Sequence, residues 1–365
     1  MRVGNYLQPF AAQLGGAGKG TSVFLSLGNT SICSEMIPLE ELEWLGPEGF
    51  VVRSNLSQDQ QTLWVAANGN GGEWGAFSTA VSVGAHYAIY AVLELLGFAF
   101  LHPLQPQIPV ELAQPGATLD ISEYPFFPFR GFHIHTEHPL ELVHVLQGLD
   151  FDFPPYSESW QDMLPEAETA FEWMVANRQN HIEWVLLGGP SMGLFSSSAL
   201  RQQRLHTVIA MAQSFGLAVG ADVPIAEIQQ HGWAMVAPFA DWEQQVIDIQ
   251  NRTDWLAQAG FDFIATESGF SEFTHPSCPL MLALMNVLTN YTTATYPGMR
   301  VLIKCHCSTG QYCDAQSNLT DPRTGQPLNF NFLPLYAQPE LGIMPHTVEA
   351  YSFTDPAPVY GNVNF

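Results

Sequence analysis

Residues 242–267, WEQQVIDIQNRTDWLAQAGFDFIATE, decide how this chain folds. They read as a helix over Trp242–Ala259 and a short apolar strand over Phe261–Thr266, with Glu267 at the strand's end. The alternation continues on both sides. Strands are expected at Gly131–Thr136, His181–Leu187, Ala218–Val223, Arg300–His306 and Val348–Phe353, with helices at Glu166–Asn177, Ser198–Phe215 and Pro279–Tyr291 between them. Apolar runs that alternate with helical stretches are the pattern of parallel βαβ units. Six βα steps can be counted, whereas a closed barrel needs eight. The expectation is therefore a (β/α)8-type TIM barrel that is incomplete at its C-terminal end.

Upstream the pattern changes. From Thr21 to Pro109 the text reads strand, loop, strand, helix, with strands at Val23–Leu27 and Thr62–Ala67 and a loop over Asn68–Gly72. In Ala85–Leu96, the residues Tyr87, Tyr90, Ala91, Glu94 and Leu95 stripe one helical face. Gly97 then stops the helix, and Phe98–Leu101 reads as a short strand. Prolines at 103, 106, 109, 115, 125 and 128 oppose both continuous helix and central strand, so the domain boundary is placed there. The division expected is a small α/β domain over 1–120 and the barrel over 121–365.

The chain of 365 residues has a formal charge of −24 and only two lysines, Lys19 and Lys304. Such a balance repels phosphate backbones and anionic membranes, so nucleic acid is excluded as a partner and no membrane association is expected. No run approaches the ~20 apolar residues of a membrane span. The protein reads as soluble, and as secreted or periplasmic if a leader is missing from this chain. Five cysteines, Cys33, Cys278, Cys305, Cys307 and Cys313, form no familiar zinc spacing and are read as buried or loop cysteines, their odd number leaving at least one thiol unless chains pair. Sequons begin at Asn29, Asn55, Asn251, Asn290 and Asn318, and matter only in a eukaryotic secretory setting.

Several segments resemble, in order, the α-glucuronidases and β-N-acetylhexosaminidases. Gly84 to Pro103, GAHYAIYAVLELLGFAFLHP, is similar to the end of their small domain, and Tyr124 to Gly131, YPFFPFRG, to the approach to their first barrel strand. Asn177 to Asn180, NRQN, resembles the passage to the second strand, and Gly216 to Pro224, GLAVGADVP, the third. Phe263 to Glu267, FIATE, looks like the fourth strand, which ends in the general acid. The resemblance implies a glycoside hydrolase that removes a terminal uronic acid or modified hexose, with carbohydrate as its partner and no cofactor. Two departures stand out. Thr266 replaces the Asp that precedes the acid in hexosaminidases, and Glu183 and Val185 replace their second-strand histidines.

Glycoside hydrolysis uses one carboxylic acid to protonate the leaving oxygen and a second carboxylate across the bond. Glu267 is the candidate acid, because barrel sites are built at the C-terminal ends of strands. For the second carboxylate Asp355 is preferred, ahead of Asp222 and Glu272. The resemblance makes Arg130 a sugar-binding arginine. His135, His138, Asn180, Asp222, Trp233 and Tyr351 complete the expected substrate contacts. No metal is assigned to this site. An alternative class is a carbohydrate-binding barrel without turnover. A third is a metal-dependent, amidohydrolase-like enzyme using His133, His135 and His306, since His133 and His135 share a strand face and imidazole is the usual zinc ligand.

Overall fold

The computed structural model describes residues 22–28, 30–58, 62–70, 73–74, 77–78, 83–113, 118–134, 140–188, 192–226, 232–237, 240–268, 277–306, 312–314 and 317–346. The chain divides into two compact units. One comprises Met1–Phe132, Gln161–Ile182 and Ala210–Ala218, the other His133–Trp160, Glu183–Ile209 and Val219–Phe365.

In the first unit, β1 (Ser22–Leu27) leads through the short helices α1 (Ser31–Met36) and α2 (Leu39–Leu45) to β2 (Phe50–Leu56) and β3 (Thr62–Gly69). A small hairpin, β4 (Glu73–Trp74) and β5 (Phe77–Ser78), precedes α3 (Val83–Leu95), and β6 (Asp120–Glu123) returns to the sheet. The order is β1-β3-β2-β6, with β1 parallel to β3 and the other pairs antiparallel. Every residue of α3 from Val83 to Val92 is buried, which is how a helix apolar all round behaves. It packs on β2 and β3 and, within the same unit, against α5 (Leu164–Ala176). Its start lies so close to the end of β3 that a Cβ on Gly69 would stand 2.2 Å from the Gly84 carbonyl carbon. Only glycine permits that approach.

The remaining elements are β7 (Gly131–Ile134), α4 (Leu140–Gln147), the hairpin β8 (Phe151–Phe153) and β9 (Tyr156–Glu158), β10 (His181–Val185), α6 (Ala199–Ser214), β11 (Ala218–Asp222), α7 (Trp242–Ala259), β12 (Phe263–Ser268), α8 (Cys278–Thr295), β13 (Arg300–His306) and β14 (Gly342–His346). The larger sheet has the sequential order β7-β10-β11-β12-β13-β14, and its last four strands are parallel to their neighbours. A doubly wound sheet reverses direction at a switch point, whereas here each crossover steps the same way. Right-handed crossovers then send successive helices to one face and leave the other as an interior. The result is a curled parallel half-barrel.

The local reasons are visible in α7. Asp241 caps its first turn by accepting from the Gln244 N–H at 2.9 Å, and Gly260 ends it at φ 97°, in the left-handed region. Gln245, Ile249, Thr253 and Leu256 form its buried face. Arg201 on α6 is wholly buried, and its guanidinium donates to the carbonyls of Gln147, Leu187 and Ser196 and to the Gln147 side chain.

One strand and one disulfide were not foreseen in the sequence. The sixth strand of the sheet is Gly342–His346, paired with β13, while the expected Val348–Phe353 lies outside the described residues. Pro345 within GIMPH masks the strand in sequence, and β14 accommodates it as an edge strand. Cys278 and Cys313 form a disulfide with Cα atoms 5.7 Å apart, a proximity their 35-residue separation conceals. Cys33 and Cys305 are buried, and Cys307 lies outside the described residues. No described helix is long and apolar enough to cross a membrane.

Candidate active site

Strand register defines the interior face of the half-barrel. Asp222 pairs with Ala265 and Ala265 with Leu302, and one row further along Glu267 pairs with Lys304 and Lys304 with Met344. Neighbours in parallel register share a face, so Asp222 and Lys304 belong to one surface and Thr266 and Ile303 to the other, and the backbone of Glu267 stands in register with Lys304.

An ion cluster sits on that surface. The Lys304 ammonium lies 2.9 Å from Asp222 Oδ2 and 3.0 Å from Glu183 Oε1, and His133 Nε2 lies 2.8 Å from the same Asp222 oxygen. The side chain of Asp222 is 0% exposed, that of Glu183 2%, of Lys304 10% and of His133 27%. The cluster therefore meets solvent mainly through His133. It joins four strands, β7, β10, β11 and β13, and Lys304 reaches β11 and β10 across β12, where the neighbouring row carries only the methyl group of Ala265. One row earlier, the Phe263 ring covers Gly220 so closely that a Cβ there would be 2.1 Å from the ring.

The two carboxyls are driven apart electrostatically. Burial alone would raise Asp222, but Lys304 and the His133 hydrogen bond overcome it and hold this carboxylate at about 2. For Glu183, burial outweighs the attraction of Lys304 and His133, Asp222 adds like-charge repulsion, and the pKa is raised. Asp222 Oδ1 and Glu183 Oε2 have no hydrogen-bond partner among the described residues. The arrangement is one carboxylate held low beside a cation and one carboxyl raised by burial, the divergence expected where acid and base roles are separated.

Other expected contacts take part in networks of their own. Arg130 pairs with Glu48 in the first unit, donates to the carbonyls of Arg178 (2.8 Å) and Phe127, and to the Tyr87 hydroxyl at 3.1 Å. Asn180 belongs to the same network. Its amide donates to Glu48 at 2.9 Å, and its oxygen accepts from the Arg130 N–H at 2.9 Å. Trp233 is buried, donates to Ser197 at 3.0 Å, and packs with Trp255 and the Arg252 guanidinium, 4.6 Å from its ring centre. Asp355, Tyr351, His135, His138 and Glu272 lie outside the described residues, as do the side chains of Glu267 and His306.

No family model and no curated protein matches the chain. Three solved structures are similar to it. CpGH84D matches over 89% of this chain at 11% identity and a TM-score of 0.44, and CpGH84B over 83% at 11% and 0.46. The GH20 exo-β-N-acetylglucosaminidase from Vibrio harveyi, in complex with N-acetylglucosamine, matches over 80% at 10% and 0.43. This chain spans 45%, 44% and 52% of those proteins respectively, about half their length. At such identity they assign no residue a role.

Sequence reasoning found Asp222 as a candidate carboxylate and His133 as a candidate ligand, but passed over Lys304 and noted Glu183 only as a replaced histidine. The available signal was a charge inside an apolar strand. Lys304 interrupts Val301, Leu302 and Ile303 on one side and Cys305 on the other, and Glu183 stands between Ile182 and Trp184. Lys and Glu are almost never buried unless paired, so each asks for the other.

Proposed function

We propose that this chain is the catalytic part of a glycoside hydrolase that removes a terminal sugar, a uronic acid or modified hexose, with Glu267 as proton donor. The observation that carries the reading is the buried Lys304 clasped between Asp222 and Glu183, one register position from Glu267, on the interior of a sequential parallel sheet. A general acid must keep its proton near neutrality, and a bare ammonium next to it would strip that proton. Asp222 already pairs with Lys304, so this ammonium is not bare. In this scheme Asp222 and Lys304 form a fixed polar floor, preorganised for the positive charge that develops on the sugar ring. Asp355, the preferred second carboxylate, acts as base or nucleophile opposite Glu267. His135, His138 and Tyr351 hold the sugar.

Turnover of a panel of aryl glycosides by the protein and by Glu267→Gln tests the assignment. A loss of at least ~100-fold is expected on the substrate that is cleaved, as for removal of a general acid. Equal rates would remove Glu267 from the mechanism.

Depth favours a second reading. Asp222 and Glu183 are nearly inaccessible and both are engaged by Lys304, as in a scaffold that binds carbohydrate without cleaving it. Oligosaccharide affinity with no release of reducing sugar over long incubation selects this reading, and hydrolysis excludes it.

A further inference from the structure

We infer that Asn318 carries an N-linked glycan and that the chain matures in an oxidising secretory compartment, where Cys278 and Cys313 are joined. Two independent features of the second unit converge on this. The first is the disulfide itself. Such bonds persist in secreted proteins, the lumen of the secretory pathway and the bacterial periplasm, and are rare where cellular thiols keep cysteines reduced. Cys33 and Cys305 are buried.

The second feature is the position of one sequon among several. Asn318-Leu319-Thr320 lies five residues beyond Cys313, in a loop rather than in a helix or strand. Asn318 is exposed and adopts φ 57°, the left-handed conformation that Asn tolerates in turns. The backbone on either side of it is pinned. Leu328 N–H donates to Leu319 at 2.9 Å, Cys313 N–H donates to Leu328 at 2.7 Å, and the Tyr336 hydroxyl donates to the Thr320 carbonyl at 3.1 Å. A glycan on Asn318 therefore projects outward from a fixed platform without displacing any packed group. The sequons at Asn251 and Asn290 differ. They lie inside α7 and α8, and their threonines, Thr253 and Thr292, are wholly buried. Acceptor sites belong on surface loops, and Asn318 meets that condition.

The chemistry balances with two co-reactants of stated class. The Asn318 side-chain nitrogen attacks the anomeric carbon of an oligosaccharide carried on a lipid pyrophosphate. The bond from that carbon to the pyrophosphate oxygen breaks, the lipid pyrophosphate leaves, and the nitrogen loses one proton. Separately, the Cys278 and Cys313 thiols pass two electrons and two protons to an exchanging protein disulfide, which is reduced to two thiols.

Mass spectrometry of the full chain from its natural source tests the inference. After peptide N-glycosidase in heavy-oxygen water, the peptide containing Asn318 is expected to carry labelled aspartate, and Cys278 and Cys313 to resist alkylation until reduced. An Asn318 peptide found only unlabelled overturns the glycan, even if the disulfide is intact. Alkylation of both cysteines before reduction overturns the compartment. As a second measurement, Asn318→Gln secreted from a eukaryotic host should migrate one glycan lighter than the unsubstituted chain, and equal mobility counts against the site.

Discussion

Lys304 does at the level of one residue what composition could not announce. It is one of two lysines in the chain, and its ammonium neutralises a carboxylate that burial alone would keep protonated. Replacing it by methionine keeps the apolar stem and leaves Asp222 without its cation, which costs about 3–5 kcal/mol where a buried pair is broken. A urea midpoint within error of the parent chain would show that the bridge contributes nothing. Glu183 gives a pH signature of the opposite sign to that of Asp222. Its folded pKa lies above the unfolded value, so over the window above ~4.3 the folded chain holds a proton the unfolded chain has lost, and stability falls as pH rises. Asp222 is depressed to about 2, so its contribution is complete above its unfolded pKa and is lost as pH falls through the folded value. Glu183→Gln should flatten the decline above ~pH 4.3 in urea titrations at stepped pH. An unchanged slope would mean that Glu183 titrates alike in both states.

At the level of elements, the interior face depends on small residues where large ones cross. Gly220 on β11 leaves room for the Phe263 ring from β12, and Ala265 leaves room for the Lys304 stem. Gly220→Ala is expected to cost ~1–3 kcal/mol by overpacking, and Phe263→Leu in the same chain to recover part of it. Full stability of the single variant in thermal melts would show that the ring moves freely. Strands buried on both faces were the most legible elements, because they appear as continuous apolar runs. His181–Val185, Ala218–Asp222 and Arg300–His306 were found within one or two residues at either end. Phe50–Leu56 was passed over, since after Phe50, Val51 and Val52 it carries Arg53, Ser54 and Asn55, and its apolar half alone is too short to declare a strand. Gly342–His346 was hidden by its proline.

For the molecule as a whole, order along the chain was readable and convergence in space was not. The sequential sheet follows from alternating helices and strands, whereas His133, Glu183, Asp222 and Lys304 meet only because four strands curl around one interior. Cys278 and Cys313 teach the same lesson, since nothing in their spacing sets them side by side. The matched segments supply residues to two networks, each within its own unit. Asp222 joined the ion cluster, while Arg130 and Asn180 joined a network around Glu48 in the first unit.

The reach of Lys304 across β12 also bears on the sequence of events in folding. An ammonium held by acids two and three strands away can be desolvated only after β10, β11, β12 and β13 are all docked, so the bridge closes late, after the costly loop closures are complete. Contacts that form after the rate-limiting barrier act on the escape rate and leave the rate of arrival nearly untouched. This one cation thus works as a latch on the finished half-barrel: it lengthens the lifetime of the native state without guiding the chain toward it.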